Sequence, residues 1–369
     1  MNTRASPLWR RIHEGDFKTL AVMGMSKNTG KTVALNHLLA QAAAAKLQVG
    51  VTSIGRDGEE RDQVFLVPKP PVRVWPGTLI ATARATLQRA KVCVKLIDTT
   101  DITSPMGEIV VVKALELGEM EIAGASRGSD QLAVIQRLQQ CGATLVLLDG
   151  ALGRSQHASP AIADGVVLAT GAALGGGMSD VIRKTRDRLA ILTIAQADAA
   201  LRQLCEPVFA NGGVGVWDSR HRNLYLANIS TLNSATAIMQ YAHADIKTIA
   251  VSGAVGRTLW QALSTLAESK PGLTVVVNDG TRLFVPAADL AAFTSQGAHL
   301  LAYRGIRLLG ITLNPFSPLG GCFEPKEFLT AAHEAFIGYG VSDVMLEEGT
   351  AVAELASDPK STGCTNTSF

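Results

Sequence analysis

The segment Leu20-Ala21-Val22-Met23-Gly24-Met25-Ser26-Lys27-Asn28-Thr29-Gly30-Lys31-Thr32 carries the strongest structural signal in this chain. It begins with an apolar run, continues as a loop with a glycine at each end, and leads into the Ala- and Leu-rich segment Val33 to Ala45. This order predicts a buried strand, a glycine-bounded loop and a helix that starts at Gly30-Lys31-Thr32, which is the context of a phosphate-binding loop. Backbone N–H groups at a helix N-terminus, aided by the helix dipole, attract phosphate oxygens.

The residue types in this loop are those needed to bind a nucleoside triphosphate with Mg²⁺. Gly30 lets the backbone curl closely around an anion. Lys31 is expected to reach the β- and γ-phosphates, and the Thr32 hydroxyl is expected to hold Mg²⁺. The residues expected to bind the nucleotide are Gly24, Lys27, Asn28, Thr29, Gly30, Lys31, Thr32 and Val33.

The loop departs from the common spacing in one respect. Five residues separate Gly24 from Gly30, whereas the usual pattern has four. Met25 therefore stands where the common pattern has glycine. The alternative interpretation is an ordinary strand-to-helix turn that carries Gly-Lys-Thr.

Two acids compete for the role of the Mg²⁺-side carboxylate at the end of a buried strand, the Walker B position. Asp149 follows the apolar run Leu145 to Leu148, and Asp98 follows Val92 to Ile97. We prefer Asp149, because Leu145 to Leu148 is typical of a central parallel strand. The alternative is an acid that only caps a strand or a helix.

Composition indicates a well-buried globular protein. Of 369 residues, 47% are hydrophobic and 18% charged, and the formal net charge is +2. There is no basic run or basic-aromatic stripe, so nucleic acid is not an expected partner. The five cysteines show no Cys-x-x-Cys spacing, which favours a reducing cytoplasm over a disulfide framework or a zinc site. No signal peptide is expected in Met1 to Phe17, and no apolar run is long enough for a membrane span.

The periodicity along the chain predicts an α/β protein with two domains. A P-loop NTPase domain with a mostly parallel sheet is expected over 1–205, with a β-hairpin insertion near 98–124 formed by Glu108–Val112 and Glu119–Ala123. A boundary near Pro207 and Asn211-Gly212-Gly213 is expected to open a second α/β domain over 206–356. Residues 357–369 form a polar tail.

The nucleotide is expected to be ATP. No Asn-Lys-x-Asp follows the phosphate-binding loop, so guanine specificity lacks its usual acid.

The spacing of the loop resembles that of known P-loop families. The loop has a glycine, then five residues, then Gly-Lys-Thr, and this pattern resembles the loop of dethiobiotin synthetase. The segment Lys27 to Thr32 is also similar to the loop of the molybdopterin-guanine dinucleotide accessory GTPases. Both belong to the class that contains the signal-recognition GTPases and the MinD/ParA ATPases. Members of this class tend to be metabolic ligases, metal-insertion factors or chaperones of cofactor-dependent enzymes, and the resemblance implies one of these functions for this chain.

In this class the loop after the second strand often carries switch residues or a catalytic acid. Here that strand is predicted over Leu47 to Ile54, and the charged run Gly55-Arg56-Asp57-Gly58-Glu59-Glu60-Arg61-Asp62 follows it. Asp57 is the first choice and Glu59 the second; a solvated turn of mixed charge is the alternative. The expected catalytic residues are thus Lys31, Asp57 and Asp149, and the expected metal ligands are Thr32, Asp149 and Asp57.

A longer series of segments resembles the ATPase subunit of the lysine 5,6-aminomutase reactivase. The segments are, in order, Met23 to Thr32, Thr52 to Glu59, Leu148 to Ala151, Asp164 to Ala172, Gly310 to Pro315 and Asp343 to Met345. The resemblance implies a magnesium-dependent ATPase that acts as a chaperone, paired with a MutS-like partner subunit. Its implied client is an adenosylcobalamin-dependent aminomutase, from which ATP hydrolysis releases damaged cobalamin.

Two other functions stay open at this point. One is an ATP-dependent ligase or amidotransferase similar to dethiobiotin synthetase, which would activate a carboxylate or carbamate by phosphoryl transfer. The other is a nucleotide-gated adaptor with little turnover.

Overall fold

The computed structural model describes residues 6–54, 71–150, 159–318 and 320–346, and it is a mixed α/β structure with a large, mostly parallel sheet. The chain divides into two compact units. The described residues of unit 1 fall within Met1–His157, Ile162–Val181 and Leu308–Phe369, and those of unit 2 within Ala158–Ala161 and Ile182–Arg307.

The helices and strands alternate along most of the chain. The helices are α1 (Pro7–Glu14), α2 (Lys31–Ala44), α3 (Arg84–Leu87), α4 (Gly128–Gln140), α5 (Met178–Leu192), α6 (Ala199–Asn211), α7 (Thr231–Met239), α8 (Arg257–Ser269), α9 (Ala287–Ser295) and α10 (Pro325–Ala335). The strands are β1 (Thr19–Gly24), β2 (Val49–Ser53), β3 (Val72–Val74), β4 (Leu79–Ala83), β5 (Val94–Ser104), β6 (Gly107–Ala114), β7 (Gly118–Met120), β8 (Leu145–Asp149), β9 (Gly165–Gly171), β10 (Val214–Asp218), β11 (Asn223–Ala227), β12 (Ile246–Val251), β13 (Thr274–Val277), β14 (His299–Ala302), β15 (Leu308–Asn314) and β16 (Val341–Ser342). Among these described residues, no helix is both long enough and apolar enough to span a membrane.

Nine of the described strands of unit 1 form one sheet in the order β16-β15-β9-β1-β8-β2-β4-β6-β5. Neighbouring strands from β16 to β4 pair in parallel, and only β6 and β5 at one edge are antiparallel. All residues of β1, β8 and β9 are buried, as expected for parallel strands in the middle of a sheet.

Helices cover both faces of this sheet. Val49 and Val51 of β2 belong to the hydrophobic cluster that includes the apolar residues of α1 and α2. Because side chains alternate along a strand, Gly50 faces the other way, and a Cβ atom built there would lie 3.3 Å from Cβ of Leu138 in α4. Two layers of helix therefore exclude water from β2 and its neighbours.

The order of connections places a crevice at the end of β1. After β1 the chain passes through α2 to β2, which lies on the far side of β8, whereas after β8 it returns to β9 on the opposite side of β1. The two connections thus leave neighbouring strands in opposite directions. In open α/β sheets, ligands bind outside the carboxyl ends of the strands at such a point.

Unit 2 contains a smaller sheet in the order β11-β10-β12-β13-β14. Strands β12, β13 and β14 are parallel, and β10 and β11 are antiparallel. One face packs against α7, α8 and α9, with Trp260 and Phe293 at a centroid distance of 5.0 Å. The other face carries Trp217, Ala250 and Val276 in a cluster with Cys205 and Val208 of α6.

The units divide the chain differently from the expected domains 1–205 and 206–356. Strand β15 pairs in parallel with β9, and β16 with β15, so the end of the described chain returns to the first sheet. The expected boundary near Pro207 falls inside α6, which ends where Gly212 adopts a φ of 83°. Strand pairing over this sequence distance leaves no local signal, which explains the difference. The predicted tail, 357–369, lies outside the described residues.

A β-hairpin is present near the expected insertion, but its partners differ. Strand β6 pairs with β5 along the edge of the large sheet, and β7 pairs instead with β3 in a separate two-stranded sheet. Asp98 and Asp101 lie within β5, although the sequence pattern predicted that the strand ends before Asp98. An edge strand tolerates charged side chains, so the strand continues through them.

Candidate anion-binding site

The segment Gly24–Thr32 joins β1 to α2 at the crevice. Helix α2 begins at Lys31, and its N-cap residue, Gly30, has a φ of 88° and provides no side-chain cap. The first N–H groups of this helix therefore have no side-chain acceptor at the N-cap. Such groups, together with the helix dipole, attract an anion.

The backbone of the loop is folded back tightly. The φ angle is positive at Asn28 (63°) and Gly30 (88°), but not at Thr29 between them. Successive residues of alternating handedness turn their N–H groups toward a common concavity that suits an anion. The Thr29 hydroxyl donates to the Ser26 carbonyl at 2.9 Å, and a Cβ atom at Gly24 would lie only 2.8 Å from that hydroxyl. Gly24 therefore leaves the space that the folded loop needs.

Lys31 and Asp149 form an ion pair at the end of the central strands. Lys31 Nζ lies 2.7 Å from Asp149 Oδ1, and the side chains are 18% and 6% exposed. Asp149 is the last residue of β8, where Val22 of β1 and Ser53 of β2 are its partners in the two flanking strands. The backbone N–H of Gly150 donates to Val22 O at 3.1 Å and fixes this end of the strand. The sheet thus brings together two residues that are far apart in sequence.

The two acids considered for the Walker B position have different surroundings. Asp98 lies on β5 at the edge of the sheet, with its carboxylate 3.5 Å from Arg137 Nε. Asp149 lies next to β1 and contacts Lys31. Asp57 and Glu59 lie outside the described residues.

The remaining loop residues differ in their exposure. Thr29 and Thr32 are buried, Asn28 and Val33 are half-buried, and Lys27 is exposed. Thr32 is the second residue of α2, directly after Lys31. The geometry therefore places one cation and one buried hydroxyl at the beginning of the helix.

The carboxylate and hydroxyl oxygens at this position are suitable ligands for Mg²⁺ that is bound together with phosphate. Asp149 Oδ1 is buried and receives no hydrogen bond from the described residues besides its ion pair with Lys31. Mg²⁺ in nucleotide sites is held by one or two carboxylates, hydroxyl groups and phosphate oxygens. Asp149 and Thr32 are the residues that would hold it here.

The structure adds Asn314, a site residue that was not among the expected ones. Asn314 ends β15, and its side-chain N–H donates to the carbonyl of Asn28 in the loop at 2.9 Å. The sequence contains a weak signal for it: a polar residue followed by Pro315, directly after an apolar strand. Nothing local in that pattern indicates contact with a loop near the beginning of the chain.

No protein-family model matches the chain, and neither a curated protein nor a solved structure matches it. A lysine, a helix N-terminus and a concave loop can neutralise a polyphosphate, and a buried carboxylate beside them can hold a divalent cation.

Proposed function

We propose that this chain binds Mg·ATP at the Gly24–Thr32 loop and hydrolyses it. The observation that carries the proposal is the 2.7 Å contact between Lys31, at the start of α2, and Asp149, at the end of β8. The loop between β1 and α2 lies at the point where the strand order reverses, which supports a P-loop NTPase fold for unit 1.

Each residue has a distinct role in this proposal. Lys31 contacts the β- and γ-phosphates, and the N–H groups at the start of α2 surround them. Thr32 and Asp149 hold Mg²⁺, which neutralises phosphate charge when bound. Asp57 supports hydrolysis from the segment after β2; this role stays a prediction, because Asp57 lies outside the described residues.

We further propose that hydrolysis acts on a protein client. The support is the ordered series of segments that resembles the reactivase ATPase subunit, together with unit 2, which adds a folded α/β unit to the nucleotide-binding one. The client would be an adenosylcobalamin-dependent aminomutase and the partner a MutS-like subunit. A nucleotide can drive such an exchange only if its ATP and ADP states bind the partner with different affinities.

The nucleotide site is tested with Lys31→Ala. Loss of a charge-assisted contact is worth about 1.5–3 kcal/mol, so the Kd for Mg·ATP should rise at least about tenfold by calorimetry. Lys18→Ala is the control, because Lys18 directly precedes the opposite end of β1 and pairs with Asp16 at 2.8 Å. Equal affinity of wild type and Lys31→Ala would exclude the proposed site.

The client is tested by reconstitution. The chain, the MutS-like subunit and a cobalamin-inactivated aminomutase are combined, and recovery of mutase activity should require ATP, fresh adenosylcobalamin and Lys31. Recovery without ATP contradicts the chaperone proposal. An ATPase stimulated only by a small carboxylic acid would indicate a ligase, and an ATPase that binds the partner with little turnover would indicate an adaptor.

A further inference from the structure

Asn314 connects the end of β15 to the anion-binding loop. Its Nδ2 atom donates to Asn28 O at 2.9 Å, across 286 positions of sequence. Its Oδ1 atom accepts from the backbone N–H of Phe316 at 3.2 Å. Both ends of the carboxamide are therefore engaged, one with the loop and one with its own segment, so the orientation of the side chain is fixed.

Two glycines make room for Asn314. A Cβ atom at Gly30 would lie 2.9 Å from Asn314 Cβ, and one at Gly171 would lie 2.1 Å from Asn314 O. Gly171 is the partner of Asn314 in the parallel pair β9–β15. Asn314 thus packs between the end of β9 and the loop, at a distance that a side chain at either glycine would prevent.

The hydrogen bond to Asn28 affects the direction of the next N–H group. In a trans peptide the carbonyl and the following N–H point in opposite directions, and the described chain contains no cis peptide. Because Asn314 Nδ2 donates to the Asn28 carbonyl, the Thr29 N–H points away from Asn314. The Thr29 hydroxyl donates in the same way to the Ser26 carbonyl, and the Ser26 hydroxyl donates to the Lys27 carbonyl at 3.0 Å. Three consecutive carbonyl groups of the loop, from Ser26 to Asn28, therefore accept hydrogen bonds from side chains.

We propose that Asn314 is a positioning residue that holds the Asn28 carbonyl away from the phosphates and keeps the loop in its anion-binding conformation. This inference rests on the proposed function of the loop. A carbonyl dipole turned toward a phosphate repels it, and a loop that is ordered beforehand loses less conformational entropy on binding. Asn314 contributes to affinity through the loop and is not itself a ligand of the phosphates.

The first experiment measures the loop without nucleotide. Asn314→Asp keeps the shape of the side chain and its acceptor for Phe316 N–H, but it has no donor for Asn28. Hydrogen exchange of a peptide covering residues 24–36 should be at least about fivefold faster in this variant, because the amides lose an ordered environment. Asn228→Asp is the matched control, since Asn228 Nδ2 donates to Asn211 O, also at 2.9 Å, in unit 2.

The second experiment measures Mg·ATP binding with Asn314→Ala, which is neutral and does not repel phosphate. One lost hydrogen bond should raise the Kd roughly two- to tenfold by calorimetry, and Asn228→Ala should bind as wild type does. Unchanged exchange in Asn314→Asp, unchanged affinity in Asn314→Ala, or equal effects in the Asn228 variants would each overturn the inference.

The two proposals fail in distinguishable ways. If Lys31→Ala weakens binding and Asn314→Ala does not, the nucleotide site stands and the role of Asn314 is wrong. If Lys31→Ala binds Mg·ATP as tightly as wild type, the proposed function is wrong, and the exchange rates of the Asn314→Asp loop still decide whether Asn314 orders it.

Discussion

At the scale of single residues, the charge of Lys31 is balanced by Asp149. The 2.7 Å ion pair is mostly shielded from water, so the attraction is stronger than that of an exposed pair. In the proposed site, a phosphate group that contacts Lys31 would compete with this carboxylate. A divalent cation held by Asp149 would remove that competition, so the proposal predicts that Mg²⁺ raises the affinity for phosphate.

This competition leads to a prediction for Asp149→Asn. The variant should bind tripolyphosphate more tightly than wild type by about five- to tenfold when magnesium is chelated, because a partly buried ion pair no longer opposes binding. It should also lose the gain in affinity that Mg²⁺ gives the wild type, and lose Mg²⁺-dependent turnover. Calorimetry with and without the chelator measures the first two effects.

Asp98→Asn serves as the control for this prediction. Asp98 contacts Arg137 at the edge of the sheet, so its removal should leave tripolyphosphate binding unchanged. If Asp98→Asn removes the magnesium effect and Asp149→Asn is silent, the acid has been assigned to the wrong strand.

At the scale of elements, helix α2 carries a buried histidine whose protonation opposes folding. His37 is 0% exposed, and its Nε2 atom lies 3.2 Å from the hydroxyl of Ser6, the N-cap residue of α1. Burial lowers the pKa of His37 from 6.5 to about 4, because the apolar interior disfavours the imidazolium. The ring is therefore neutral at pH 7 in the folded chain.

The depressed pKa of His37 predicts a loss of stability in acid. Since the unfolded chain binds a proton below about pH 6.5 and the folded chain only below about pH 4, the free energy of unfolding falls as the pH drops through this window, by at most ~3 kcal/mol. Denaturant unfolding at several pH values measures it. His37→Gln should lose this part of the pH dependence, whereas His13→Gln, at an exposed position of α1, should retain it. If the free energy of unfolding falls equally with decreasing pH in wild type and in His37→Gln, the prediction is wrong.

Elements were predictable where a pattern was local. The strand, loop and helix from Leu20 to Ala44 follow from an apolar run, two glycines and a helix-forming segment. The partners of β6 and β7 were not predictable in this way, because the alternation over 108–123 is compatible with more than one pairing. Register and partner depend on which neighbouring edge is free, and this is a property of the whole sheet.

At the scale of the whole molecule, the first sheet is completed only by the last described strands. Leu309, Ile311 and Leu313 of β15 are at most 5% exposed, and β15 covers the edge of β9. A chain that ends before β15 would expose that edge and lose this burial. Each fully buried Leu or Ile contributes about 1.5–3 kcal/mol, which is a large part of the stability of a typical domain.

We therefore expect the fragment 1–205 to lack a stable, cooperative fold. A chain in which 182–307 is replaced by a glycine-serine linker of about 20 residues, which spans roughly 25 Å, should recover cooperative unfolding, because it restores β15 and β16. Thermal unfolding followed by circular dichroism compares the two. If fragment 1–205 unfolds at the temperature of the linked chain, β15 is not required for the first sheet.

The sequence by itself determined the order of strand, loop and helix from Leu20 to Ala44, the residues Lys31 and Thr32 at the start of α2, and the α/β class. These depend on backbone preferences and on side chains a few positions apart, which neighbouring residues encode directly. Only the tertiary structure decided that Asp149 meets Lys31, that Asn314 holds Asn28, and that β15 and β16 belong to the first sheet. Except for the pairing of β16 with β15, these contacts join residues more than a hundred positions apart. They form because burying each strand edge against another strand stabilises the sheet as a whole, a cooperative effect for which no short segment carries a pattern.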